Sequence, residues 1–424
     1  MDVKRPKGTR DFFYEDELLR QRIMGVLVKT FELYGFNPLE TPTLELYETL
    51  ASKYSGGAEI LKETFRLNDQ GERELGLRYD LTVPFARFIA MNPQLKMPVK
   101  RYQMGPVFRD GPIKLGRYRE FTQCDVDVVG LKGMEADAEM IKIAERVFDQ
   151  LGLDVVIAVN NRKILDQMME QLKVPVEQRD GVLLSIDKLQ KIGVEGVKEE
   201  LKGRGISADV IRKLLEMIMG EGKNTDKLQR LWKSLGECIG LTEVERVLTL
   251  TGKKIVFDPS LTRGLSYYTG TVFEAYLEDK SISSSLAGGG RYDKMIGEFL
   301  GKGGYEAVGI SFGLDVVMDA LKMKGQGKKK SVCEAYVIPI QALDESMQVA
   351  EELRDNGIRC DVDLVGRGIS KNLEYASSMT IPFVVFVGQK ELAQKKVKLR
   401  NMTSGKEELV SVKDAVKVMK ASLQ

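Results

Sequence analysis

YQMGPVFRDGPIKLGRYREFTQCDVDVV, residues 102–129, decides the architecture of this 424-residue chain. It contains two β-like runs, around Tyr102 to Arg109 and Phe121 to Val129, separated by the glycine- and arginine-bearing interval Asp110 to Arg119. Two such runs around a polar, turn-rich interval predict an antiparallel pair joined by a long charged loop. Arg109, Arg117 and Arg119 lie within eleven residues on or beside that loop. Guanidinium forks match phosphate and carboxylate oxygens two at a time, so the loop reads as a clamp for a nucleotide. The competing reading is a solvated charged hairpin.

On the amino-terminal side, Leu19, Ile23, Val26, Leu27, Phe31 and Leu33 recur at mostly three- and four-residue steps, predicting a helix from Glu15 to Tyr34 that stops at Gly35. Pro38 and Pro42 then favour an extended segment over a central strand. On the carboxyl side, Glu135 to Leu151 reads as a second amphipathic helix. From Ile164 to Val247 the pattern is mostly helical, with breaks at Gly193, Gly203 and Gly222, which predicts an inserted helical subdomain. Strand character returns at Lys254–Phe257, Thr271–Leu277 and Val308–Phe312, so the first domain resumes after the insertion. KMKGQGKKKS, residues 322–331, has the flexible, like-charged composition of a linker. Beyond it, strand-like and helical segments alternate up to the apolar run Ile381–Val387, predicting an α/β domain with a largely parallel sheet. The expected organisation is a first domain at 1–325 interrupted at about 165–247, a linker at 326–332 and a second domain at 333–424.

Composition narrows the chemistry. The chain has 43% hydrophobic and 30% charged residues, as in globular proteins. Its 64 Lys and Arg nearly cancel 62 Asp and Glu, so a nucleic acid would be held by local basic patches rather than by a cationic surface. Cys124, Cys238, Cys333 and Cys360 form no C-x-x-C pair, which speaks against a disulfide framework or structural zinc and for a reducing cytoplasm. No stretch approaches the ~20 apolar residues of a membrane span, and neither a membrane nor a DNA partner is expected. The chain contains no histidine. Ser-His-Asp and Cys-His catalysis, His-carboxylate iron sites and HExxH zinc sites are therefore excluded within it.

Three further motifs offer chemistry. LTRGLSYYTG (261–270) places Arg263 ahead of Tyr267 and Tyr268; if the run is extended, successive tyrosines face opposite ways and only one lines a pocket. AGGGRYD (287–293) strips side chains from Gly288, Gly289 and Gly290 so that backbone can approach a ligand, but it is not a P-loop; taken alone it is also compatible with a bulge or tight bend. LRYDLTVPFAR (77–87) reads as an extended stretch in which Asp80 and Thr82 share a face and jointly receive an ammonium group.

In this order the motifs resemble the class II aminoacyl-tRNA synthetases, and specifically the histidyl-tRNA synthetase family, over nearly the whole chain. KGTRDF (7–12) is similar to that family's amino-terminal signature, Gly35–Pro42 to the dimer-forming first class motif, and Phe108–Asp127 to the second. RGLSYYTG and AGGGRYD resemble the two histidine-specific signatures. LRYDLTVPFAR and TQCDVD resemble the archaeal and eukaryotic pattern more than the usual bacterial one.

The resemblance implies an α+β catalytic domain on an antiparallel sheet with a helical insertion, followed by an α/β anticodon-binding domain. It implies a cytoplasmic homodimer that joins histidine to histidine tRNA using ATP and Mg²⁺, with no protein ligand assigned to the metal. Arg109 would hold the ATP α-phosphate and the amino acid's carboxylate, Arg263 would bind substrate and stabilise the α-phosphate as charge develops, and Arg117 would also act on ATP. Asp80 and Thr82 would receive the α-amino group, with Leu81 also substrate-binding; Gln123, Asp127 and Tyr267 or Tyr268 would surround the imidazole over the Gly288–Gly290 backbone. Lys114, Lys395, Lys396, Lys398 and Arg400 would contact tRNA; the alternative for the last four is an exposed charged strand edge. One departure stands out: GISFGLD (309–315) is followed by Val316 where the family's third motif has an arginine for the ATP γ-phosphate, a role then open to Arg117 or Arg291. A second reading of the resemblance is the synthetase-like regulatory subunit of ATP phosphoribosyltransferase.

Overall fold

The computed structural model describes residues 2–53, 61–113, 117–252, 254–263, 267–301 and 303–423. They form two compact units, residues 1–10 with 23–323 and residues 11–22 with 324–424.

In the first unit the strands are β1 (Asn37–Pro38), β2 (Leu44–Leu46), β3 (Arg66–Asn68), β4 (Glu74–Leu77), β5 (Val99–Phe108), β6 (Glu120–Val129), β7 (Val155–Asn161), β8 (Ile255–Phe257), β9 (Thr271–Leu277), β10 (Ala287–Arg291) and β11 (Ala307–Gly313). Eight of them build one sheet in the order β1-β5-β6-β11-β10-β9-β7-β8. Its six inner strands pair antiparallel, and only the two short edges, β1 on β5 and β8 on β7, pair parallel. β5 and β6 are ten residues each and run antiparallel in continuous register from Val99↔Val129 to Phe108↔Glu120, as the opening stretch predicts. β1 is a two-residue edge, which is where a proline that cannot donate to a ladder belongs.

One face of the sheet is apolar. Cys124, Val126, Val128, Val308, Ile310, Phe312, Phe273 and Ala275 are all buried there, on the side set by alternation along each strand. The helix Met134–Leu151 buries Met140, Ile141, Ala144, Val147 and Phe148, and Phe148 and Phe31 each lie within 6 Å of Phe312. Between β7 and β8 the chain runs through six helices, from Arg162–Gln171 to Ile239–Leu250, around their own core of Ile164, Met168, Leu201, Leu214, Leu231 and Leu241. Gly193, at φ 70°, ψ 178°, kinks the third of these helices.

The stretch 77–87 departs from the extended reading. Leu77 ends β4, and Thr82 already opens the helix Thr82–Met91. Pro84 sits in the first turn, where its missing N–H costs nothing, and Asp80 Oδ1 accepts from the backbone N–H groups of Thr82 and Val83 at 3.1 and 2.9 Å. The shared strand face expected for Asp80 and Thr82 does not exist; an aspartate cap and a helix start stand in its place.

The second unit contains β12 (Ala335–Ile340), β13 (Cys360–Val362), β14 (Phe383–Gly388), β15 (Val397–Asn401) and β16 (Glu407–Val410) in the order β13-β12-β14-β15-β16. The first three pair parallel, and β15 and β16 add an antiparallel hairpin. β15 is thus an inner strand, which corrects the reading of Lys398 and Arg400 as an exposed edge.

Candidate active site

Alternation and register gather the polar residues of the large sheet on its other face. Arg101, Gln103 and Gly105 of β5 lie opposite Asp127, Asp125 and Gln123 of β6. Those in turn oppose Gly309, Ser311 and Gly313 of β11, next to Gly290 and Gly288 of β10 and then Val272 and Glu274 of β9. Few central strands carry such a row of carboxylates, amides and bare glycines, because unpaired polar groups are costly to bury. The glycines make room for charge: a Cβ on Gly288 would collide with the Arg263 guanidinium, one on Gly309 with the Asp127 carboxylate, and one on Gly105 with Arg78. Gly289 points the other way, where a Cβ would strike the Gly309 carbonyl and Phe273.

Two arginines border this floor. Arg109, just past β5, lies 4.2 Å from the Tyr79 ring centroid and 4.8 Å from that of Phe121, and its Nε donates to the Tyr79 carbonyl at 3.4 Å. Arg263 lies 3.6 Å from Glu274 and donates to the Phe273 carbonyl at 3.4 Å, with the Tyr268 ring 5.5 Å away. Burial alone would lower its pKa; Tyr268 and Glu274 outweigh that and hold it permanently charged. Tyr276 donates its hydroxyl to Glu274, which fixes that carboxylate beside the arginine.

Tyr267 and Tyr268 are not on a strand, and their rings touch at 4.7 Å, so the alternation that would have parted them does not apply. Tyr268 packs against Gly290, and Tyr267 lies edge-on to Tyr292 at 6.2 Å. Asp127 is buried between Arg101, at 2.8 Å, and the Tyr292 hydroxyl, at 2.7 Å. Arg101 also donates to the Leu81 carbonyl at 3.1 Å, tying the sheet to the Asp80–Thr82 turn. Gln123 donates to the Ser311 hydroxyl at 2.9 Å.

The fold thus brings together Asp80, Leu81, Thr82, Arg109, Gln123, Asp127, Arg263, Tyr267, Tyr268, Gly288 and Gly290. Arg291 is excluded from this face. It is 2% exposed on the opposite side of β10, ion-paired with Asp137 of the Met134–Leu151 helix and bonded to the Leu131 and Gly133 carbonyls. Arg117 is half exposed and paired with Glu63 at 2.9 Å. Lys114 and residues 264–266 lie outside the described residues. Lys395 and Lys396 sit in the turn before β15, whereas Lys398 and Arg400 share Glu407 of β16 at 3.6 and 3.0 Å.

Residues 8–317 match the family model described as Histidyl-tRNA synthetase, and residues 334–422 match that of an Anticodon binding domain. The chain belongs to the histidyl-tRNA synthetase family. It is 43% identical to Histidine--tRNA ligase 1 of Bacillus cereus over 97% of this chain and 98% of that one. It is 38% identical to the Histidine--tRNA ligase of Bacteroides fragilis over 97% of each. Among solved structures, a histidyl-tRNA synthetase from Nostoc sp. PCC 7120 superposes with a TM-score of 0.86 at 30% identity over the full length of both chains.

Against that family, the sequence reading missed Arg10. Its guanidinium stacks on the Tyr118 ring at 3.5 Å and pairs with Asp315, whose other oxygen accepts from the Thr122 N–H at 2.9 Å. It thereby brings a cation to the residue immediately before Val316. Glu63 and Glu274 were also missed, because each is an isolated acid in sequence and acquires partners only across strands and loops; Asp125 was passed over although it alternates with Gln123 and Asp127 in TQCDVD.

Proposed function

We propose that this histidyl-tRNA synthetase family member activates L-histidine with ATP to histidyl-adenylate and transfers the histidyl group to histidine tRNA. The observation that carries the reading is the polar face itself: two fixed arginines, Arg109 and Arg263, flank a floor whose amide, carboxylates and tyrosines suit an imidazole. The substrate carboxylate is already ionised at neutral pH, so the first step needs no general base. It attacks the α-phosphorus in line, and permanently charged guanidinium groups stabilise the charge that develops on the phosphoryl oxygens. A chain without histidine is fully equipped for that step. Asp80 faces the α-ammonium group together with the Thr82 hydroxyl, and Gln123, Asp127 and Tyr268 surround the ring. Arg117 and Arg10 supply the positive charge for the outer phosphates that Val316 does not.

Mg²⁺ would enter with the nucleotide, as a bridge between its phosphates; among the described residues no three carboxylates or thiols are grouped to hold a metal. Leu44, Leu46 and Leu67, each more than a third exposed on the small sheet β2-β4-β3, support a homodimer. No helix of the described residues is long and apolar enough to cross a membrane, and a cytoplasmic location suits a tRNA substrate. Lys395 and Lys396 offer phosphate contacts in the second unit.

Histidine-dependent exchange of pyrophosphate into ATP tests the reading, and its absence with every amino acid would sink it. The alternative, a regulatory subunit of ATP phosphoribosyltransferase, shares its fold with this chain: a structure titled as such a subunit or a histidyl-tRNA synthetase, from Bacillus halodurans, superposes with a TM-score of 0.76 at 23% identity. The match of residues 334–422 to an anticodon-binding domain favours the ligase.

A further inference from the structure

Asp125 has no role in the reading above, yet it stands between Gln123 and Asp127 on the same face of β6 and is 2% exposed. Its surroundings are set by four elements: Arg101 of β5, Asp127 of β6, Ser311 of β11 and Asp80 of the turn before the Thr82–Met91 helix. The other two carboxylates are better compensated. Asp80 receives two backbone N–H groups at a helix start, and Asp127 has the Arg101 ion pair and, on Oδ1, the Tyr292 hydroxyl, although its Oδ2 accepts no hydrogen bond among the described residues. Asp125 has the Ser311 hydroxyl on one side, while its Oδ1 is buried with no hydrogen-bond partner among the described residues. The Gln123 Oε1 is bare in the same way, since that side chain spends its amide N–H on Ser311.

Arg101 stands beside this group, yet its own Nε and Nη1 meet no partner there, so the bare acceptors on Gln123, Asp125 and Asp127 are expensive unless a donor carrying positive charge meets them from the pocket. A neutral imidazole brings one N–H; an imidazolium brings two and a full charge. We propose that this enzyme binds the histidine side chain as the doubly protonated, cationic imidazolium, and that Asp125 is the specificity-determining residue that selects that form. The inference rests on the histidine-activating function proposed above. Burial, opposed by Arg101 and reinforced by Asp127, pushes the Asp125 carboxyl up to about 7, close to the ring's own value of about 6.5. Near neutral pH the extra proton therefore comes from Asp125 when that group is protonated, or from solvent when it is not. The charge also explains how a pocket tells this ring from a flat neutral amide or phenol of similar size, which offers no second cationic donor.

The test is the nitrogen spectrum of ring-¹⁵N-labelled L-histidine bound at saturation to the full-length protein near pH 8, where the free ring is neutral. Both ring nitrogens are expected at the chemical shift of protonated imidazolium; one nitrogen at the unprotonated shift overturns the proposal. In Asp125→Asn the KM for histidine should rise at least tenfold with the KM for ATP within twofold, and the bound ring should lose its second proton. A ring still doubly protonated in that variant overturns the assignment to Asp125. The wild-type spectrum needs no variant, so a folding defect in Asp125→Asn leaves the first arm decisive. A protein that binds no histidine refutes the function as well, whereas saturable binding of a neutral ring refutes this inference alone.

Discussion

β6 and β14 are both inner strands, buried along most of their length, and they are built to opposite rules. β14, FVVFVG, is buried at every position and apolar toward both faces, as an inner strand covered on two sides should be. β6, EFTQCDVDVV, is apolar toward one face only and carries Gln123, Asp125 and Asp127 on the other. β14 builds the core of its unit. The polar face of β6 sacrifices stability for a charged floor, and its neighbours β10 and β11 give up side chains so that the floor fits.

That contrast can be broken by substitution. Phe383→Ala should destabilise the protein by about 3–5 kcal/mol through lost burial and a cavity, read as a lower denaturation midpoint, with pyrophosphate exchange per folded molecule within twofold of wild type. Arg263→Ala should do the reverse: exchange falls by roughly 100- to 1,000-fold while the midpoint stays put. Loss of activity accompanied by unfolding would show that the arginine is structural. Gly288→Ala sharpens the point, because the added methyl meets the side chains of Arg263 and Glu274 rather than backbone. It should cost roughly tenfold or more in exchange with little loss of stability, whereas Gly289→Ala meets backbone and should unfold the sheet. Arg10→Ala should raise the KM for ATP by about tenfold, as loss of one charge-assisted contact would, and leave that for histidine unchanged; no change in either would remove Arg10 from the nucleotide site.

A further effect is in pH. Asp125 has a folded value raised to about 7 from an ordinary 3.8, so between those values the folded state holds more protons than the unfolded one. Its contribution therefore makes the ligand-free protein less stable as pH rises from about 4 to 7, with no further change above. Asp125→Asn should flatten that part of the stability profile; a wild-type contribution that grows with pH in this window would contradict the burial argument.

Much of this was legible beforehand. The β5–β6 pair, the helical insertion and the alternating second unit each declared themselves through period and turn chemistry. Arg109, Arg263 and the glycine run were singled out by residue type. What escaped depended on contacts remote in sequence. Arg10 is one arginine in a charged amino-terminal stretch until the fold sets it beside Asp315, 305 residues away. The start of the Thr82–Met91 helix was hidden because Asp80, Thr82 and Pro84 fit a cap as well as an extended run. Arg291 looked available because three glycines precede it, yet strand parity turns it away from Gly288 and Gly290.

The glycine strand β10 also limits how the substrate range can be altered. A pocket is ordinarily enlarged by trimming a side chain from its base, but here the base is already bare backbone, with Gly288 and Gly290 offering nothing to remove. Accepting a bulkier amino acid would require reshaping the walls at Gln123, Asp125 or Tyr268, each of which the proposed function assigns to the ring. On that reading the size limit lies in a strand whose pocket face has no side chain left to trim.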